Sequence, residues 1–190
     1  MKPMLKTFAA ALAALGLAGP VQAFEITASM QKELTRQAES VKALAANPAV
    51  VKAVLDQNEK GPIEGMTNDK WKAVRRSDDL IKGFVKNDAG KVLGQKLDAS
   101  DGLWVRAFLS AAGGEKVAFT EKTISYLHAG QPKFDVPFST GKVWQGPPEL
   151  DTVTETHDVQ IAAPVMSGGK PVGVLIVGVN LSRLSKSIAK

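Results

Sequence analysis

The 190-residue sequence has no cysteine, a single tyrosine and two histidines. Without cysteine there is no disulfide framework, no thiolate nucleophile and no cysteine metal site. The histidines, His128 and His157, lie in separate segments, and neither has a second ligand at metal-binding spacing. Gly-x-Ser-x-Gly and the Gly-x-x-x-x-Gly-Lys-Ser/Thr phosphate loop are both missing; Ser167-Gly168-Gly169-Lys170 lacks the spacing and the helix that such a loop needs. Asp98, Ser100 and Asp101 precede Gly102 without the ligand spacing or the terminal glutamate of a calcium loop. The carboxylates are scattered among lysines, and no pair stands out as general acid and base. We therefore expect no cofactor, no metal and no enzymatic centre.

Long apolar runs are scarce as well. The one at the N-terminus has the three parts of a secretory signal peptide: basic Lys2 and Lys6, apolar residues from Phe8 to Leu17, then small residues and Val21-Gln22-Ala23. It is too short to span a bilayer comfortably, and Gly19-Pro20 breaks it. The expectation is a signal peptide over 1–23 and one domain over 24–190, without a membrane span, periplasmic or secreted after cleavage near Ala23. The net charge of +5 falls to +3 without Lys2 and Lys6, which gives no reason to expect a nucleic-acid partner. A composition of 44% apolar and 23% charged residues suits one globular core.

Apolar residues recur at helical spacing from Ile26 through Met30, Leu34 and Val41 to Leu44, which predicts a long amphipathic helix over 25–46. Asn47 is a good cap and Pro48 suits a first helical position, so a second helix over 48–57 follows. A loop over 58–67 leads to a helical segment capped by Asn68, carrying Trp71 and Val74 and ending near Asp79. Residues 80–87 and 92–97 read as strands joined by a turn at Asp88-Ala89-Gly90-Lys91. Residues 103–112 look helical, ended by Gly113-Gly114. Residues 116–126 and 134–144 suit strands, with a turn at 128–132 between them, and 145–150, containing Pro147-Pro148, reads as loop. A hairpin then runs from Asp158 to Asn180 about Ser167-Gly168-Gly169-Lys170, and a short basic helix closes the chain.

In the second arm of that hairpin Val172, Val174 and Ile176 alternate with Leu175, Val177 and Val179, so both faces are apolar. Such a strand needs cover on both sides and belongs at the centre of a sheet. Gly173 and Gly178 leave gaps that a backbone, a helix or a ligand can approach closely.

Arg106 sits inside Leu103-Trp104-Val105-Arg106-Ala107-Phe108-Leu109, where its charge needs a partner. That need is met by a protein carboxylate, by a route out to solvent, or by the carboxylate of a small ligand held by the guanidinium fork. Tyr126, His128, Lys142 and Trp144 are placed to supply hydrogen-bond donors and an apolar wall for the same ligand; each also has a plainer role, as core aromatic, turn histidine or surface lysine.

The order of elements, with Val159-Gln160-Ile161-Ala162-Ala163-Pro164-Val165 and Gly169-Lys170-Pro171-Val172-Gly173-Val174-Leu175-Ile176-Val177-Gly178-Val179, resembles the single Cache, or PDC-type, extracytoplasmic sensor domains. Phe84-Val85-Lys86-Asn87-Asp88-Ala89-Gly90-Lys91-Val92 is similar to that family's first hairpin, and Val143-Trp144-Gln145-Gly146 to its Trp-Gln-Gly segment. The resemblance implies an α+β fold: a PAS-like antiparallel sheet of about five strands, the long N-terminal helix on one face and a pocket for small carboxylates or amino acids on the other. Since Lys190 ends the sequence with no output domain, the expected role is a binding protein or a partner of a membrane-bound sensor. The alternative is a protein-interaction module with a vestigial pocket, docking on a membrane sensor kinase or transporter.

Overall fold

The computed structural model describes residues 24–151 and 156–188; residues 1–23, where a signal peptide is expected, lie outside the described residues. Thr27 caps the first helix, α1 (Ala28–Ala45), by accepting a hydrogen bond from Met30 N, and Met30, Leu34, Val41 and Leu44 form its buried stripe. Asn47 accepts from Ala49 N at 2.9 Å and starts α2 (Pro48–Lys60), with proline in the first turn. Then follow α3 (Asn68–Ala73), α4 (Asp79–Lys86), α5 (Asp88–Asp98), β1 (Trp104–Ala111), β2 (Lys116–Phe119), α6 (Pro132–Thr140), β3 (Trp144–Asp151), β4 (Thr156–Ser167), β5 (Lys170–Asn180) and α7 (Leu181–Ile188).

The strands form one antiparallel sheet in the order β2-β1-β5-β4-β3. The valine-rich β5 is its centre, as two apolar faces require. One face is covered by α1, α2, α5 and α7, which bury Leu109, Val159, Ile161, Leu175, Val177 and Val179. The other carries Phe108, Ala162, Val174 and Ile176 beneath α6 and the Trp71 and Tyr126 aromatics. An α+β architecture with a five-stranded antiparallel sheet and a long N-terminal helix on one face is the PAS-like, Cache-type fold that the resemblance implied. Among the described residues no helix is long and apolar enough to cross a membrane.

Of the strand expected over 116–126 only Lys116–Phe119 is strand, and α3 is capped by Thr67 rather than Asn68; four further local expectations are corrected. The expected hairpin over 80–97, the segment compared with the family's first hairpin, is the pair α4 and α5. Ile81, Phe84, Val85, Ala89 and Leu93 keep helical spacing, and Asn87 is a cap rather than a turn residue, accepting from Gly90 N at 2.7 Å. A Cβ on Gly90 would stand 2.4 Å from the Val85 carbonyl oxygen, so this corner requires glycine. Residues 103–112 form β1, not a helix: a strand buried on both faces has the same continuous apolar run as a buried helix, and Gly114, at φ 83°, belongs to the turn into β2. Residues 134–144 were expected as strand, yet Pro132 opens α6 and Gly141, at φ 67°, closes it in the left-handed conformation, with Pro137 inside. Residues 145–150 are strand because β3 is a sheet edge, where a proline's missing N–H costs no ladder bond, and the register is broken between Gln145 and Pro148.

Gly173 is pinned by a close approach: a Cβ there would meet the Ser110 carbonyl oxygen at 2.4 Å and Val54 Cγ1 at 2.7 Å. This is where α2 crosses β1 and β5.

Candidate functional site

Side-chain alternation puts Arg106, Phe108 and Ser110 of β1, Val174, Ile176 and Gly178 of β5, and Asp158, Gln160 and Ala162 of β4 on the α6 side of the sheet. The apolar middle of this floor is ordinary core. Its two ends are polar and buried, which needs an account, because buried polar groups normally find partners.

At one end stands Lys116 of β2, 0% exposed. Its Nζ lies 3.4 Å from the Phe108 ring centroid and 3.4 Å from His128 Nε2, and among the described residues no carboxylate pairs with it. Burial first, and then the charge of Lys133, push its pKa well below the ordinary lysine value. His128 is 2% exposed, and its ring lies 4.8 Å from that of Phe108. Burial first, then the charges of Lys116 and Lys133, push its pKa down to about 2; the Tyr126 carbonyl opposes this in part, but no well-formed hydrogen bond reaches Nδ1. The Lys116 contact engages Nε2 and leaves Nδ1 without a well-formed partner among the described residues. The Ser110 hydroxyl, also buried, has no partner. Lys133, on the first turn of α6, lies 5.8 Å above the same Phe108 ring, and burial lowers its pKa too.

At the other end Arg106 donates from Nη2 to Asp151 Oδ2 at 2.5 Å and lies 3.4 Å from Asp158 Oδ2. Burial raises the Asp158 pKa, and Arg106 opposes the rise. Gln160 donates to Glu149 at 3.0 Å.

The five residues singled out in the sequence are thus dispersed. Arg106 is half-buried and engaged by protein carboxylates. Tyr126 is buried with its hydroxyl accepting from Ile63 N at 2.9 Å, which ties the loop after α2 to the floor. His128 is in the polar cluster beside Phe108. Trp144, partly buried, packs against the aromatic cluster on the same face, while Lys142 is exposed just past α6. Sequence reasoning missed Lys116, Ser110 and Asp158. Lys116 had a signal: it is the first residue of a four-residue strand buried throughout, in Lys-Val-Ala-Phe, where a lysine stands out.

Two clefts open elsewhere, and none of those five residues lines either. One of about 440 Å³ is bordered by Lys72, Arg75, Arg76, Lys122 and Ile124, and one of about 290 Å³ by Lys52, Asp56, Gln57, Lys60 and Asp88. Among the described residues no group of three or more acidic or histidine side chains is arranged to hold a metal.

No family model and no curated protein matches the chain. Among solved structures it is similar to the ligand-binding domain of the Campylobacter jejuni chemoreceptor Tlp3 in complex with 4-methylisoleucine, at 16% identity and TM-score 0.45, over 86% of this chain and 65% of that one. It is similar also to the ligand-binding domain of the Pseudomonas fluorescens chemoreceptor CtaA in complex with L-leucine, at 18% identity and TM-score 0.49, over 84% and 55%. A third is the V. cholerae histidine kinase DctB sensor domain, at 15% identity and TM-score 0.43, over 84% and 60%. All three are sensor domains. The chain spans less than two thirds of the length of each.

Proposed function

We propose that the protein is an exported, non-enzymatic domain that binds a small carboxylate or amino acid on the α6 side of its sheet. The observation that carries this reading is Lys116, an amine sealed into the interior with no carboxylate paired to it among the described residues. A buried cation without a counter-ion is costly, by several kcal/mol, and a ligand carboxylate would offset that cost. His128 Nδ1 and the Ser110 hydroxyl supply two further donors, and Phe108 and Trp144 an apolar wall. Arg106, Tyr126 and Lys142 act around this centre: Arg106 through its aspartates, Tyr126 by fixing the loop after α2, Lys142 as an exposed cation beside α6. Since Lys116 is fully covered, with His128 against it, the segment carrying His128 has to move for a ligand to enter.

A thermal-shift screen of small carboxylates and amino acids tests the proposal, because a ligand that binds only the folded state raises Tm. At least one compound should raise it in the natural protein and not in Lys116→Met. No shift across the panel contradicts the reading and favours the second one, a protein-interaction domain docking on a membrane-bound sensor. The specific support for that alternative is Ile124, 81% exposed beside the larger cleft.

A further inference from the structure

Unused hydrogen-bonding atoms lie at both ends of the α6 face. At the β2 end, among the described residues, they are Lys116 Nζ beyond its contact with His128, His128 Nδ1 and the Ser110 hydroxyl, with the buried Glu115 Oε2, an acceptor, next to Lys116 in the chain. At the β4 end they are acceptors. Asp158 Oδ2 and Gln160 Oε1, two residues apart on one face of one strand, are buried without a hydrogen-bond partner among the described residues, although Arg106 Nη2 lies 3.4 Å from Asp158 Oδ2, and Asp158 is only 4% exposed. The donors near them are already committed, Arg106 Nη2 to Asp151 and Gln160 Nε2 to Glu149. Asp158 and Glu149 join Asp151 around Arg106 at that end, and Lys133, which forms no ion pair among the described residues, feels the charges of both Glu149 and Asp158. Gly178 lets the Arg106 and Asp158 side chains close over the floor: a Cβ there would stand 3.1 Å from Asp158 Oδ2 and 3.1 Å from Arg106 Cγ.

We infer that the ligand is bipolar, with a carboxylate at Lys116 and a primary ammonium at Asp158 and Gln160, the two separated by an alkyl chain: an ω-amino acid rather than an α-amino acid. The separation follows from the sheet. Phe108, under the Lys116 ammonium, shares a row with Ile176 and Ala162, while Gln160 shares the next row with Gly178 and Arg106. Two strand spacings and a step of two residues place Phe108 and Gln160 roughly 12 Å apart at the backbone, and Asp158 farther still. An α-amino acid carries both charges on one carbon, so even with a hydrogen bond of about 2.8 Å at each end it falls short. About three or four methylene groups between the charges close the distance, and they lie on Phe108, Ile176 and Ala162.

The inference rests on the binding reading above, and the experiment separates the two. Calorimetric titration of the whole protein with δ-aminovalerate, γ-aminobutyrate, L-valine, valerate and glutarate should give Kd values at least tenfold lower for the two ω-amino acids than for the other three. Asp158→Asn, checked for a cooperative melt, should lose that tenfold for the ω-amino acids and leave valerate unchanged; Gln160→Leu serves if Asp158→Asn does not fold. Carboxylates that bind with no advantage for the ω-ammonium, or L-valine or glutarate binding best, overturn this inference while the binding reading stands. No binding by any of the five overturns both.

Discussion

Acidification should destabilise this protein through His128, and the size of the effect follows from its burial. In the unfolded chain the imidazole titrates near 6.5; in the fold its pKa is pushed down to about 2, so it stays neutral. The unfolded state binds the extra proton, and stability therefore falls as the pH drops below about 6.5. At about pH 5 the loss is the free energy of about one and a half pKa units, roughly 2 kcal/mol. Asp158 works in the opposite direction: its folded pKa is raised, so it favours the fold in more strongly acidic solution. Urea unfolding at about pH 8 and about pH 5, for the natural protein and for His128→Gln, isolates the histidine. The natural protein should lose roughly 2 kcal/mol more than the variant between the two conditions. Equal losses would refute the claim that this ring is buried and neutral beneath α6.

Gly173→Ala should cost about 2–3 kcal/mol in urea unfolding, because the new methyl meets the Ser110 carbonyl and Val54, neither free to withdraw; a change below about 0.5 kcal/mol would contradict the packing of α2 on β1 and β5. Trp71→Ala empties the centre of the aromatic cluster and removes the N–H bond to the Thr123 carbonyl at 2.8 Å, for a loss of about 3–5 kcal/mol by the same assay. Arg106→Ala leaves two aspartates facing each other; with the arginine side chain 35% exposed, solvent screening holds the loss to about 1–2 kcal/mol. Because Arg106 is already engaged by protein carboxylates, its loss should change carboxylate affinity much less than Lys116→Met does, a contrast that parallel titrations can read.

The architecture was legible because its strongest signals are long. The alternation in β5 demanded a covered central strand, and the stripe from Met30 to Leu44 with the Asn47-Pro48 break marked α1 and α2. The middle of the chain was misread where the two periods compete. Ile81, Phe84 and Val85 fit a short strand as well as one helical face, and only Asn87, caught between cap and turn, decides for α5. Residues 104–111 failed in the reverse direction, since a run buried on both faces has no period at all. Proline misled twice. Pro147-Pro148 is compatible with strand only on an edge, and Pro132 opens a helix, neither visible before the sheet order is known.

The site was less legible for a related reason. Arg106 drew attention as a charge in an apolar run, but its partners are Asp151 and Asp158, forty-five and fifty-two positions further along the chain and brought to it through β3, β4 and β5. Lys116 looked like the start of a strand. Only the fold shows that it is sealed against Phe108 and His128, with no carboxylate paired to it among the described residues.

The central claim is that Lys116 awaits an anion, and titration calorimetry on the natural protein and on Lys116→Met, with the strongest carboxylate from the screen, tests it most directly. A charged hydrogen bond is worth about 1.5–3 kcal/mol, so the variant should bind about tenfold to a hundredfold more weakly while its melting temperature holds or rises. Unchanged affinity in a folded Lys116→Met protein would contradict the account.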